Sequence, residues 1–577
     1  MGAGSSHQAS KRAFQAQSLG GALTQSRTNG KSILGTLLNP LLPLFLTNNP
    51  LPNGFPWSMM STDTNYYIDC PKTGVIRTYD FTISRGVIAP DGYQRDVLLV
   101  NGAFPGPLIE ANWGDTIQVT VHNNITGPEE GTALHWHGFL QNGKGYEDGV
   151  PAVTQCPIAP GHSYTYSFEA ELYGSTWYHS HYSAQYAGGL VGPMVIYGPS
   201  FQNYDVDIGP VMVSDWYHRE YFDLVEDVMS PEIAGRFYSD NNLINGKMNY
   251  DCSKVVEGDD APCVSNAGIS KFRFKRGKVH RLRLMNVGAQ ALQRFSIDGH
   301  KMKVIANDFV MVKPYETDVV ALAIGQRADV LVEANGDQDS YWMRSVISSK
   351  CALASQPNAF AAIYYDDADD TKEPQSEPVH DPNAGSCAND DLSITKPLLP
   401  LPIRQPDKVF EFEVKKFRNE TGHSLWSMDG VDYRGNYNSP TMLLGALGNH
   451  TFERQWNVRS TGDAKSVRVI LHNRSGIPHP MHLHGFNMYV LHLGEGDWDG
   501  TIVRGINPQR RDVVMVPGNG HMVMQFDAAK NPGYFVQFMT NPDKLKEMRI
   551  PSVVAETCRQ WGKWTETNIP EQIDSGL

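Results

Sequence analysis

With 577 residues, the chain is long enough for about three or four domains, each able to bury its own core. A net charge of −13, with no Lys/Arg stripe, excludes a nucleic-acid-binding footprint. Glycine (53) and proline (36) are plentiful, aromatics make up 10%, and long helical patterns are scarce, which together suit an all-β chain with many turns.

In chain order, the first feature is an apolar run, ILGTLLNPLLPLFL at 33–46, behind basic Lys11, Arg12, Arg27 and Lys31. It is too short and too proline-rich for a stable membrane span. It reads as the core of a secretory signal behind a long start, or as a domain-packing arm, and it sets residues 1–53 apart. Secretion or entry into the secretory pathway is the expectation. Sequons at Asn124, Asn419, Asn449 and Asn473 point the same way, as do seven widely spaced cysteines without a C-x-x-C pair.

A repeat then organises the chain. In the first third, TIQVTVHN at 116–123 alternates as a half-buried strand and is followed by HWHG at 135–138. The middle third has VHRLRLMN at 279–286 and SIDG at 296–299, without a histidine pair. In the last third, SVRVILHN at 466–473 precedes HLHG at 482–485. A second echo links GQRADV at 325–330 with PQRRDV at 508–513. Three related β-sandwiches follow, with metal chemistry in the first and third. The expected boundaries are 54–199, 200–380 and 381–550, with a tail at 551–577.

Histidines carry the chemistry: His135 and His137, His179 and His181, His479, and His482 and His484. In an extended strand, residues i and i+2 share a face, so each H-x-H presents two imidazoles side by side to adjacent metal ions. Imidazole suits copper, zinc, iron or nickel. Three such pairs, two of them at matching places in repeated domains, make accident improbable.

HWHG at 135–138, WYHSH at 177–181 and HPMHLHG at 479–485 resemble three of the four copper-ligand motifs of the multicopper oxidases. NGAFPGP at 101–107 and WGD at 113–115 resemble that family's first domain, and the closing DSGL at 574–577 resembles the C-terminal plug of ascomycete laccases. The resemblance implies an all-β chain of three cupredoxin-like Greek-key β-sandwich domains. It implies copper, with His135 and His482 at the type 2 ion, His137, His179, His181 and His484 at the type 3 pair, and His479 at the type 1 ion. Asp148 matches the family's acidic proton relay; from the residues alone it is equally a turn aspartate before Gly149. The implied activity is oxidation of a phenolic small molecule, such as a pigment or metabolite precursor, with reduction of dioxygen to water by a monomer. Asp251, Glu257, Asp259 and Asp260 are the second-domain carboxylates from which a partner for the phenolic proton would come.

The fourth motif, H-C-H-x-x-x-H, is absent. Where it should follow, the chain reads YFVQFMTNPD at 534–543; no cysteine precedes Cys558 there, and no histidine follows His521. Family comparison implies a gap of about fifteen residues near Val536–Gln537, a loop plus most of a strand. It would remove the type 1 Cys, one type 1 His and two type 3 His. A lost coding segment, a splice form or inactive relative, and an enzyme with altered copper sites remain three explanations. The resemblance also implies bridges Cys156–Cys558 and Cys351–Cys387. Cys252 and Cys263 are placed to close a local loop, and Cys70 is left over.

Overall fold

A computed structural model describes residues 57, 60–231, 237–528, 538–540 and 549–568. The 1–53 segment, the Val536–Gln537 junction and the DSGL ending lie outside the described residues.

Thr116–Asn123 alternates half-buried and buried side chains along its whole length, the period-2 pattern of a strand with one face inward. It pairs in parallel with Ile76–Ile88 and antiparallel with Ser163–Glu169; Arg95–Val100 completes a four-stranded sheet. A second sheet runs Ile109–Asn112, Val191–Tyr197, Gly174–Ser180, Leu134–Trp136. Phe81, Val119 and Tyr166 of one sheet join Trp136, Tyr178 and Met194 of the other in a single apolar core. The middle sandwich has six- and five-stranded sheets around Leu282, Phe295, Val330 and Ile363. The architecture is therefore all-β and cupredoxin-like.

The third sandwich is lopsided. A seven-stranded sheet, with Lys408–Arg418, Ser466–Asn473 and Gly520–Asp527 at its centre, is faced only by two-stranded ribbons among the described residues. One ribbon pairs His479–His482 with Val513–Val516. In the first sandwich the matching strand, Leu134–Trp136, pairs with Gly174–Ser180, which brings in the second histidine pair. No described strand does this in the third. A cavity of about 420 Å³ opens instead over the inner face of the large sheet, lined by Phe412, Leu471, Met488, Met522 and Met524. Protein interiors are otherwise close-packed, and no described element fills this space, which extends to the histidines His137, His179, His181, His482 and His484.

The two echoed motifs turn out to face each other. Arg327 of GQRADV makes a paired bond to Asp512 of PQRRDV (2.6 and 2.7 Å), Gln326 donates to the Val513 carbonyl, and Arg511 reaches back to Asp308 at 3.0 Å. All of these side chains are buried. A buried pair of this kind is costly to break, because either partner left alone is an uncompensated charge.

Three disulfides join Cys156 to Cys558, Cys252 to Cys263 and Cys351 to Cys387, while Cys70 is free, in agreement with the pairings expected from the sequence. The first ties the helix Ser552–Thr565 back to the first sandwich, where Val554 and Trp561 enter its core. One sequon is corrected: Asn473 is fully buried, and its amide donates to the carbonyls of Ile477 and Pro517, so it is no glycan acceptor. No helix of the described residues is long and apolar enough to cross a membrane.

The incomplete sheet should make the third sandwich the first to open. By hydrogen exchange, amides of Ser466–Asn473 are expected to exchange at least about tenfold faster than those of the matching strand Thr116–Asn123. Equal protection would mean that the cavity does not weaken the domain.

Candidate metal centre

Each histidine pair sits at the end of a strand. His135, His179 and His482 lie within strands, whereas His137, His181 and His484 lie just beyond them. The same-face rule for i and i+2 therefore does not place the second ring; the turn that follows does. His135 and His179 are direct cross-strand partners. The third pair arrives from the other sandwich, bringing His484 to 4.2 Å from His135 and His482 to 3.9 Å from His137 between ring centroids. His181 lies 5.3 Å from His484 and 5.7 Å from His135. Six of the seven expected histidines thus converge at the junction of the first and third sandwiches. His479 does not join them; its ring packs edge-on against Trp426 at 4.8 Å.

The outer ring nitrogens are anchored. His135 Nδ1 donates to the Asp148 carbonyl (2.8 Å), His482 Nδ1 to the Asp512 carbonyl (2.8 Å) and His179 Nδ1 to the Ser180 carbonyl (2.9 Å). A carbonyl only accepts, so the proton sits on Nδ1 and Nε2 carries a lone pair. His484 Nδ1 donates to the Asp148 carboxylate at 2.9 Å. On the inner side, His135 Nε2, His482 Nε2, His181 Nδ1 and both nitrogens of His137 are buried without a hydrogen-bond partner. Anchored outer nitrogens around bare inner ones are the usual environment of metal-ligating histidines. His135, His482 and His484 form one group close enough to share an ion, and His135, His137 and His179 form another.

Burial keeps His137, His179, His181, His482 and His484 neutral, the form that binds metal. It drives His137, His179 and His482 well below their ordinary value and His181 down to about 3, with neighbouring imidazoles adding to the effect. Asp148 is also fully enclosed. Burial alone would raise it, but the N–H groups that His135 and His484 turn toward it outweigh burial and hold it ionised.

Sequence reasoning missed Asp512. Besides orienting His482, its carboxylate lies 3.3 Å from His137 Nε2 and takes the Arg327 guanidinium. The signal was present in the PQRRDV echo, which marked the aspartate without assigning it a role. Gly138, which closes HWHG, is explained by the same latch. It sits at φ +82°, and a Cβ there would meet both the Arg327 guanidinium and the Asp512 carboxylate at 2.6 Å. Trp177, quoted only as part of a motif, stacks on His179 at 4.2 Å. Asp251, Glu257, Asp259 and Asp260 are all exposed. Asp251 caps the Ser253 amide and Asp259 accepts from the Tyr93 hydroxyl, and none of the four lines the cavity beside the histidines.

Residues 82–200, 207–368 and 425–537 each match a family model described as multicopper oxidase. The chain is 37% identical to Oxidoreductase OpS5 of Beauveria bassiana, over 90% of this chain and 91% of that protein. It is 36% identical to Laccase-2 of Botryotinia fuckeliana, over 90% and 92%. The crystal structure of the laccase from Botrytis aclada superposes with a TM-score of 0.83 at 33% identity, covering 90% of this chain and 98% of that one.

One carboxyl beside the centre gives a pH test. Burial pushes Glu147 from its ordinary 4.5 up to about 7, against weaker opposing effects of the Ser167 backbone, Lys144 and Tyr164. The folded protein holds Glu147 neutral while the unfolded chain ionises it, so its contribution to stability is present below pH 4.5 and falls as pH rises to about 7. The loss should total about 3 kcal/mol. In Glu147→Gln, denaturation midpoints measured across that interval should fall less with pH; an unchanged slope would contradict the assignment.

Proposed function

The chain belongs to the multicopper oxidase family, and on that basis we propose that it is a laccase-like oxidase of small phenols whose electron acceptor is dioxygen. The observation that carries this reading is the convergence of six imidazoles, four with an anchored outer nitrogen (His135, His179, His482 and His484) and four with a buried ring nitrogen left unpartnered (His135, His137, His181 and His482). All-nitrogen donor sets of this kind suit copper. In the proposed assignment His135 and His482 hold the type 2 ion, and His137, His179, His181 and His484 serve the type 3 pair. Bound copper would supply the one-electron chemistry that links phenol oxidation to dioxygen reduction.

The protein's own groups position and move protons. Asp148 fixes two rings from different sandwiches, His135 through its carbonyl and His484 through its carboxylate. Its second carboxylate oxygen has no hydrogen bond and lies 3.3 Å from His135 Nδ1. It is thus an ionised base enclosed beside the cluster, which supports the proton-relay role. Asp512 sets the tautomer of His482, and Arg327 keeps Asp512 in place. The secretory route is part of the proposal, supported by three disulfides and by sequons at Asn124, Asn419 and Asn449.

A type 1 centre does not fit the described residues. His479 stands without a second histidine or a thiolate, six cysteines are paired, and Cys70 sits in the first sandwich's surroundings. Thiolate is the ligand that defines a trigonal blue-copper site. The proposed phenol oxidation therefore belongs to the chain with an H-C-H-x-x-x-H segment in place. The lopsided third sandwich and its methionine-lined cavity favour a second reading for the 577 residues as written: a copper-binding family member without a blue centre.

The 577-residue chain is expected to bind fewer than four coppers, with no intense blue band and no oxygen uptake on simple phenols. His135→Ala should lower the bound copper further. Full loading with turnover would contradict the assignment, as would copper content unaffected by His135→Ala.

A further inference from the structure

Immediately after His484 the chain turns through Gly485, Phe486 and Asn487, which line a second cavity of about 230 Å³ between the first and third sandwiches. Tyr67, Leu140, Tyr489 and Arg510 also line it. Arg510 is 1% exposed; its Nη2 donates to the Leu399 carbonyl at 2.5 Å, and the Tyr489 hydroxyl stands beside the guanidinium. Its Nε and Nη1 are buried without a partner, and none of the ion pairs among the described residues includes it. The rings of Tyr67 and Tyr489 lie 5.6 and 5.9 Å from the guanidinium carbon. Asn487 is 7% exposed, and neither end of its amide is hydrogen-bonded. Two strongly polar groups are thus enclosed at one cavity with their bonding incomplete, an arrangement that native interiors avoid unless something completes it.

The wall chemistry narrows the completing group. A guanidinium with free N–H groups matches a planar carboxylate better than a point charge. Arg404, exposed at the rim, adds positive charge; Asp527 is the one acid in the lining. Tyr67, Phe486 and Leu140 offer flat apolar contact that an inorganic anion would leave unfilled. We infer that this cavity binds a small aromatic carboxylate of the benzoate class, with the carboxylate on Arg510 and Asn487 and the ring against Tyr67 and Phe486. The site is independent of copper and of the phenol-oxidation reading.

Titration calorimetry on the full chain without copper tests this with benzoate, benzamide and sulfate. Saturable 1:1 binding of benzoate is expected, with benzamide and sulfate each at least about tenfold weaker, the effect of losing a hydrogen bond to a charged group or the apolar contact. Asn487→Leu removes an amide that has no partner in the free protein. It should keep or raise the melting temperature while weakening benzoate at least about tenfold. No saturable benzoate binding, equal binding of benzamide or sulfate, or unchanged affinity in Asn487→Leu would each overturn the assignment. Should Asn487→Leu fail to fold, the three-ligand comparison on the unaltered chain still decides.

Discussion

Six converging imidazoles, four of them with a buried ring nitrogen that has no hydrogen-bond partner, are the constraint around which the rest of the molecule is arranged. Each buried, unpaired polar atom costs about 1–3 kcal/mol unless a partner arrives. Such a cluster persists only if its surroundings hold it. The anchors are backbone carbonyls and one carboxylate, each fixing a ring from outside; in His135 and His482 the inner nitrogen is left bare. A metal ion both satisfies those lone pairs and repays the burial, which is why the same geometry that is unfavourable empty becomes stabilising when filled.

No single sandwich makes this centre. Four rings come from two adjacent strand ends of the first domain and two from one strand end of the third, so the cluster exists only when those domains dock. The middle sandwich contributes no histidine but sets the docking. Arg327 and Asp308 grip Asp512 and Arg511 in the third domain, and Arg327 also bonds the Ser175 carbonyl in the first. Gly325 lets that loop approach the His137 ring, where a Cβ would stand 3.0 Å from the ring carbon. The Cys156–Cys558 bridge and the helix it carries add a closure over the first domain.

Much of this was legible in the sequence because the repeat sets three strands with the same alternation in the same order, and the H-x-H pairs occur where two of those strands lead. Cys156 and Cys558, 402 residues apart, were paired only through family resemblance; spacing could not have matched them. Other features were hidden for physical reasons. Asp512 acts partly through its main-chain carbonyl, which every residue has. Arg510, the first arginine of PQRRDV, looks like any other until its incomplete bonding is seen. Asn473 keeps a perfect sequon, yet its amide closes a turn inside the core. The second histidine of each pair lies past its strand, in a turn whose geometry period-2 reasoning does not describe.

The absent fourth motif has a structural counterpart in the third sandwich, where the strand bearing HPMHLH has, among the described residues, a partner on one edge only, and methionines line the space beyond. The cluster that remains is rich in nitrogen and has no thiolate at hand. X-ray absorption at the copper edge of the copper-loaded 577-residue chain tests this most directly. The expected first shell is imidazole nitrogen, with multiple scattering from several rings and no short copper–sulfur distance. A short thiolate shell, or a shell of oxygen with little imidazole scattering, would contradict it.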